Sequence, residues 1–321
     1  MYSWHQSQWQ RIKQRMQAGR LPHALLLSGM RGLGKREFAS QLCHSLLCLK
    51  RDEQGHACGQ CKSCLLIEAG SHPDIHDVMP DEVGKAIKVD QIRALSEVMS
   101  KKAQLSGYRV CIIEPAEAMN SNAANALLKT LEEPGDNTLI ILVSAEPGKL
   151  SATIRSRCQL IGFSVPTPDE SIKWLKEQGV EEDVELLLNL SNGAPLEALQ
   201  CVADNSLQLR KEFLKEFIAL KTGVQNPLHL ADKWNKKAPG QCLQWMMSWV
   251  MDIIRLKSTT SMEALKNRDA KEYLQPLAKQ LNLKNLFTLL DKLQASNRQL
   301  SGQVNTQLMM EDLFITWIKT R

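Results

Sequence analysis

The chain has 321 residues, of which 43% are hydrophobic and 23% charged, so it can bury a core in each of two or three domains. Its formal net charge of +5 and its aromatic content of 5% argue against a basic tail and against aromatic platforms for bases, and they leave backbone phosphates as the favoured target of any DNA contact. The first residues lack a secretory pattern and no apolar run reaches the roughly 18 residues of a membrane span, so we expect a cytoplasmic protein without membrane contact.

The first predicted element is a short buried strand at Leu25–Leu27, followed by a glycine-rich turn and a helix that begins near Lys35. From position 29 the turn reads Gly-Met-Arg-Gly-Leu-Gly-Lys-Arg, the order of a P-loop, in which backbone N–H groups and a lysine hold phosphates. The candidate nucleotide-binding residues are Gly29, Gly32, Gly34 and Lys35. Arg36 stands where a P-loop has the Ser or Thr that ligates Mg²⁺. The sequence therefore argues against productive metal binding, and it leaves open whether ATP binds or the turn is vestigial.

A cysteine-rich segment follows this helix. Cys58, Cys61 and Cys64 have the form CxxCxxC, whose two-residue spacers let neighbouring thiolates converge on one tetrahedral metal ion. Cys48, at the end of the helix, is the predicted fourth ligand, with His56 as a weaker alternative. We predict structural zinc near 48–64. An iron–sulfur cluster is the rival interpretation, but the proline that ends the bacterial iron–sulfur cysteine run is absent after Cys64.

Two continuous apolar runs, Val110–Ile113 and Leu139–Val143, have the length and composition of strands that are buried on both faces of a parallel sheet. Between them, Asn120 or Ser121 could cap a helix that Pro134 ends. The apolar face of that helix has the i, i+3, i+4, i+7 spacing and consists of Ala124, Leu127, Leu128 and Leu131. This alternation of strands and helices predicts an α/β domain.

The run at Val110–Ile113 also carries the acidic positions that a P-loop ATPase needs. The first acid after such a strand supports the metal ion and the second prepares the attacking water. Glu114 could be the first acid, but Pro115 stands at the second position, and Glu117 lies two residues further on and should point elsewhere. Together with Arg36 this is a second loss of function in a separate motif, so we predict that the chain alone does not hydrolyse ATP.

Beyond about Cys158 the pattern becomes helical, after a turn-rich boundary at Phe163–Pro168. We predict an α/β domain at 1–162 with the zinc module inserted near 48–64, a small helical lid at 163–204 and a helical collar at 205–321. Three of the apolar stripes that predict collar helices are 213–218, 283–290 and 308–318.

At this point the residues resemble a known family. The segments His23–Leu27, Gly70–Asp74, Asn125–Pro134 and Ser156–Cys158 occur, with the glycine-rich turn and the cysteine insert, in this order in the AAA+ subunits of bacterial DNA polymerase III clamp loaders. The resemblance covers about 20–160, and the runs Asn-Ala-Leu-Leu-Lys-Thr-Leu-Glu-Glu-Pro and Ser-Arg-Cys are its specific part. It implies an AAA+ P-loop-type parallel-sheet domain followed by helical lid and collar domains.

The resemblance also implies roles for residues. The motor subunits of this family, gamma and tau, keep an intact P-loop, an Asp-Glu pair and a sensor arginine in the lid; at these three places this chain has Arg36, Pro115 and Leu196. It is similar to the branch that has lost ATPase parts. In the family the arginine of the Ser-Arg-Cys motif faces the γ-phosphate held by the next subunit, so Arg157 is the expected arginine finger in trans, with Arg155 as second candidate and a surface ion pair as the alternative role.

The partners that the resemblance implies are the gamma or tau motors and a delta subunit in a hetero-oligomeric ring, with the sliding clamp and primed DNA contacted through the complex. The chain alone would have neither ATPase nor polymerase activity, although it would be a component of a DNA polymerase holoenzyme. Two alternatives remain: a catalytically active clamp-loader motor that uses Lys35 and Glu114, and a zinc-ribbon DNA-binding protein.

Overall fold

The computed structural model describes residues 1–82, 84–105, 107–181, 183–258, 265–300 and 304–320. The chain divides into two compact units, Met1–Glu170 and Ser171–Arg321. Within the described residues, every helix is too short or too polar to cross a membrane.

The first unit is built on a five-stranded sheet with the order β2-β3-β4-β1-β5 and only parallel pairs. The strands are β1 (Ala24–Ser28), β2 (Ile75–Val78), β3 (Arg109–Ile113), β4 (Thr138–Ser144) and β5 (Gln159–Gly162). All residues of β3 and β4 are buried, which is why those strands read as continuous apolar runs. The edge strands β2 and β5 are half exposed and mixed in composition, so their patterns are weaker.

Helices connect these strands, as parallel pairing requires. They are α1 (Gln6–Gln17), α2 (Lys35–Leu47), α3 (Lys62–Glu68), α4 (Val89–Met99), α5 (Ser121–Glu132) and α6 (Ala152–Arg157). Helix α5 begins as predicted, because the Asn120 side chain accepts a hydrogen bond from the N–H of Ala123 at 2.8 Å. Its Leu127 and Leu131 pack with Ile154 of α6 in one core cluster.

The second unit is helical. Helix α7 (Pro168–Glu177) contains the division point, and the helices after it are α8 (Val184–Leu190), α9 (Pro195–Ala203), α10 (Ser206–Lys221), α11 (Pro227–Lys237), α12 (Pro239–Ser258), α13 (Lys271–Gln280), α14 (Leu283–Gln299) and α15 (Thr306–Lys319). Its large core is rich in aromatic side chains, among them Phe213, Trp234, Trp249 and Trp317. A smaller core around Leu175 and Leu187 lies within α7–α9.

Two of the predicted apolar stripes need correction. In α14 the predicted Leu283 and Phe287 are 37% and 47% exposed, whereas the predicted Leu286 is fully buried. Leu289 and Leu293 complete the buried face, because that side of the helix packs in the core cluster of the second unit. In α15 Leu308 is 60% exposed, since it lies on the first turn. The lid and collar boundaries at 163–204 and 205–321 stay predictions; the collar includes residues 259–264, 301–303 and 321, which lie outside the described residues.

Candidate functional site

The glycine-rich turn lies at the carboxyl end of β1, next to strand β4, and it feeds the N-terminus of α2. Gly32 and Gly34 have positive φ angles of 71° and 82°, which glycine adopts without strain. The ammonium of Lys35 donates to the carbonyl oxygens of Gly29 and Met30 at 2.7 and 2.6 Å. Burial lowers the pKa of Lys35, although nearby carboxylates oppose that effect. The predicted phosphate-binding lysine is therefore satisfied by its own loop.

Arg36 fills the place of the metal-ligating hydroxyl with a positive charge. Its Nη2 lies 2.6 Å from the Oδ2 of Asp77, a residue of β2, and its Nε lies 3.9 Å from the Oε2 of Glu114. Burial raises the pKa of Glu114, while the charge of Arg36 lowers it. The guanidinium is thus the counter-ion of the carboxylates that would otherwise attract a divalent cation.

The N-terminal residues pack against the outside of the same loop. The indole N–H of Trp4 donates to the carbonyl of Leu33 at 3.0 Å, and the Nε2 of His5 lies 2.7 Å from the same oxygen. A Cβ added to Gly34 would come within 2.5 Å of the Tyr2 ring. Glycine is required there for space as well as for its φ angle.

The acidic positions after β3 do not form a catalytic pair. Pro115 carries no carboxylate, and Glu117 lies in a short 3₁₀ turn at Ala116–Ala118. The Oε1 of Glu117 accepts a hydrogen bond from the N–H of Ala145 at 3.0 Å, just beyond the end of β4. Glu117 therefore links the segment after β3 to the segment after β4.

The four cysteines predicted as metal ligands come together. The sulfur of Cys48 lies 3.5 Å from that of Cys58 and 3.9 Å from that of Cys61, and Cys64 lies 4.0 and 3.5 Å from the same two sulfurs. All four sulfurs lie within 4.8 Å of one another. A tetrahedral site with metal–sulfur bonds of about 2.3 Å has edges of roughly 3.8 Å, so this set fits one metal ion. The spacing is too long for disulfides.

Nearby polar groups support this cysteine cluster. The backbone N–H groups of Lys50 and Cys58 both donate to the sulfur of Cys48, at 3.4 and 3.3 Å. His56, the weaker candidate ligand, stacks instead on Trp9 of α1, with ring centroids 5.3 Å apart and an interplanar angle of 1°. Because His56 stacks on α1, the candidate ligand set consists of the four cysteines.

The segment Gly70–Asp74 joins the cysteine module to the sheet. The imidazole of His72 lies 2.9 Å from the hydroxyl of Ser63 in α3. The fully buried carboxylate of Asp74 accepts from the N–H groups of Gln104 and Leu105 at 2.7 and 2.9 Å, and it lies 3.7 Å from the guanidinium of Arg109. These contacts give the segment a structural role.

Arg157 is the last residue of α6 and its side chain is 33% exposed. Its Nη2 lies 2.5 Å from the Oε1 of Glu132, the last residue of α5, and its Nη1 donates to the carbonyl of Thr153 at 3.1 Å. Arg155 is exposed on the same helix. Leu196, at the predicted sensor position, lies in the first turn of α9 and carries no charge.

Sequence reasoning did not single out Asp77, Glu132 or the aromatic residues Tyr2 and Trp4. Asp77 and Arg36 are 41 residues apart, and Glu132 and Arg157 are 25 apart, so no local pattern links the partners. In the sequence, the one feature that could have drawn attention to Asp77 is that it is a charged residue within a short run of strand-forming residues.

The strand order, with the glycine-rich turn at the end of a strand flanked by β4 and β5, defines a P-loop domain of the AAA+ class. A DNA polymerase III gamma subunit-related protein from Thermotoga maritima shares the fold, with a TM-score of 0.51 and 16% identity over 98% of this chain and 99% of that one.

Family comparisons are more specific. A family model for the DNA polymerase III delta subunit matches residues 4–167, and one for the C-terminal part of that subunit matches residues 204–319. DNA polymerase III subunit delta' of Pseudomonas aeruginosa is 35% identical over 99% of this chain and 97% of its own length. The subunit delta' of Escherichia coli is 32% identical over 98% and 94%. The chain belongs to the delta' family of DNA polymerase III subunits.

Proposed function

We propose that this chain is the non-hydrolysing delta' subunit of a DNA polymerase III clamp loader, and that it completes the ATP site of a neighbouring motor subunit. Family membership supports the first part. The observation that carries the absence of hydrolysis is the ion pairing of Arg36 with Asp77 and Glu114. The chain is then a component of a polymerase holoenzyme without ATPase or polymerase activity of its own.

Electrostatic repulsion disfavours Mg²⁺ at the chain's own nucleotide site. In P-loop ATPases a hydroxyl and an acidic residue hold Mg²⁺ against the phosphates. Here a guanidinium takes that place, and a second cation beside it would be repelled. Lys35 would have to break two hydrogen bonds to its loop before it could bind a phosphate. We therefore infer that Gly29, Gly32, Gly34 and Lys35 form a loop that holds no Mg²⁺–ATP.

Arg157 is the residue that we assign to the neighbour's site. A guanidinium at the exposed end of α6 can reach a phosphate outside the chain, and arginines in that role speed phosphoryl transfer by about 10³–10⁵. Arg155 is two positions away, so it points to another side of the helix. It is the natural control for a loss of charge at this helix end.

We infer that the cysteine cluster holds a zinc ion. Four thiolates are the donor set that structural zinc prefers, and they fill all four positions of the ion, which leaves none for catalysis. In an iron–sulfur cluster the four cysteines are shared among two or four iron atoms, so sulfurs on different irons would lie further apart than the 4.8 Å that contains this whole set. The ion would fix the chain between α2 and α3.

The proposed partners follow from the delta' assignment. Gamma or tau motor subunits and a delta subunit would form a ring with this chain through the collar at 205–321, and the lid would comprise residues 163–204. The sliding clamp and primed DNA would be met through the complex, in the cytoplasm. The chain would serve as a rigid element against which the motors move.

The direct test of the non-hydrolysing site is steady-state ATP hydrolysis by the isolated chain, with primed DNA and Mg²⁺ present. We expect no turnover above that of a Lys35→Ala variant. Turnover that Lys35→Ala abolishes would overturn the proposal and favour an active gamma- or tau-like motor instead.

A further inference from the structure

The guanidinium of Arg157 already has a partner within the subunit, the carboxylate of Glu132. We propose that Glu132 is a restraining residue, which holds the Arg157 guanidinium inside the subunit until the phosphates of a neighbour's nucleotide displace it. This inference rests on the proposed role of Arg157 at the neighbour's site, and it adds a regulatory step to that role.

Two contacts define the restrained state. The Nη2 of Arg157 lies 2.5 Å from the Oε1 of Glu132, and the Nη1 donates to the backbone carbonyl of Thr153 at 3.1 Å. Both terminal nitrogens of the guanidinium are therefore engaged within the subunit. A phosphate needs the same N–H groups, because the planar fork of arginine binds carboxylates and phosphates in the same way. The carboxylate and the phosphate compete for one side chain.

The backbone on both sides of the pair is fixed. Leu131, next to Glu132, is 2% exposed, and Ile154 in α6 is fully buried in the same core cluster. Cys158, which follows Arg157, is 9% exposed and belongs to that cluster too. Release of the arginine therefore requires only side-chain rotation, with α5 and α6 in place.

The exposure of the two side chains makes the pair exchangeable. Glu132 is 49% exposed and Arg157 33%, and ion pairs with that access to water are weak. A γ-phosphate carries more charge than a carboxylate and can take over the guanidinium. While Glu132 stays close, its own negative charge repels that phosphate. The apparent affinity of Arg157 for the neighbour's phosphate is therefore its intrinsic affinity multiplied by the fraction of molecules in which the guanidinium is not paired with Glu132.

The consequence is a threshold on ATP hydrolysis. Without DNA, the restrained state should keep the rate low. We infer that binding of primed DNA brings the neighbour's phosphates against Arg157, so that they displace Glu132 from the guanidinium. Loss of the Glu132 charge should then raise the DNA-free rate while it leaves the DNA-stimulated rate unchanged.

The test is ATP hydrolysis, with and without primed DNA, by a loader reconstituted from motor subunits and this chain. The chain is used as wild type, as the single variants Glu132→Gln, Glu132→Asp, Glu133→Gln and Arg157→Ala, and as the Glu132→Gln, Arg157→Ala double variant. Glu133→Gln removes the same charge from the adjacent exposed position. We expect Glu132→Gln to raise the DNA-free rate about two- to five-fold, the equilibrium effect of one exposed ion pair. Glu132→Asp should restore most of the restraint, and Glu133→Gln should match wild type.

The double variant separates restraint from a general structural effect. If Glu132 acts through the arginine, the double variant should behave as Arg157→Ala does in both conditions. An unchanged DNA-free rate with Glu132→Gln, while Arg157→Ala lowers the stimulated rate, would overturn the restraint and leave the arginine's role standing. A fall in the stimulated rate with Glu132→Gln would also overturn it, because Glu132 would then orient the arginine productively. An unchanged rate with Arg157→Ala would overturn both proposals.

Discussion

A single side chain, Arg36, underlies the proposal that the glycine-rich turn of this subunit holds no Mg²⁺. The guanidinium is a permanent cation held between a residue of β2 and the acid that follows β3. Asp77 and Glu114 are 38% and 30% exposed, so both remain close to solvent and available to another cation once the arginine is gone. The carboxylates that could hold a metal ion are therefore present, but the positive charge beside them belongs to Arg36 and not to a metal ion.

Arg36→Ser should give the chain Mg²⁺-dependent ATP binding. The new hydroxyl, Glu114 and Asp77 provide the oxygen ligands that Mg²⁺ prefers. By isothermal titration calorimetry, Mg²⁺ should strengthen ATP binding to the variant about tenfold, or about 1.4 kcal/mol, and should not strengthen binding to wild type. Arg31→Ser is the control, since it removes an exposed positive charge from the same loop. Equal affinities of the Arg36→Ser variant with and without Mg²⁺ would count against this account.

Asp74 is a fully buried residue whose contacts should contribute strongly to the free energy of unfolding of the first unit. Asp74→Ala would leave the guanidinium of Arg109, which is 3% exposed, without its buried counter-ion, and it would remove the acceptor of two backbone N–H groups. Breaking a buried ion pair costs about 3–5 kcal/mol. Urea unfolding followed by circular dichroism should show that loss, whereas Asp90→Ala, at an 85% exposed side chain, should change little. A loss below about 1 kcal/mol would contradict the structural role of Asp74.

At the scale of elements, the cysteine module is the part that depends on its metal. Helix α3 has only seven residues, too few to be stable alone, and three of the four cysteines lie outside any helix or strand. Metal binding at such sites is worth on the order of 10 kcal/mol at neutral pH. The sheet has its own core of β3 and β4 side chains and does not need the ion.

Metal removal should therefore unfold the module and spare the sheet. After treatment with a strong chelator, or in Cys61→Ser, we expect loss of about one bound zinc ion per chain and rapid amide hydrogen exchange over 48–68, with slow exchange kept in β3 and β4. Metal content is measured by mass spectrometry of the ion. Cys201→Ser, at a half-buried cysteine of the second unit, is the control and should keep its metal. Equal metal content in Cys61→Ser and wild type would rule out the cluster as the binding site.

At the scale of the whole molecule, the sequence predicted what local patterns encode. The glycine-rich turn, the strands β3 and β4, the Asn120 cap and the four cysteines could be read because each depends on neighbours in the chain. The pairing of Arg36 with Asp77 and of Arg157 with Glu132 could not be read, because the sheet order and the packing of α5 on α6 create it. The exposed side of α14 was misjudged for a similar reason: the burial of Leu289 and Leu293 depends on which helices pack against it.

We propose above all that Arg157 acts on ATP bound by another subunit. The measurement that tests it most directly is single-turnover ATP hydrolysis by loader reconstituted with Arg157→Ala or with Arg155→Ala, after gel filtration has established that both assemble. Arg157→Ala should lower the rate at the adjoining site by about 10³-fold or more, within the range for arginine fingers, while Arg155→Ala should keep the wild-type rate. Wild-type rates with Arg157→Ala, in a fully assembled loader, would contradict the account.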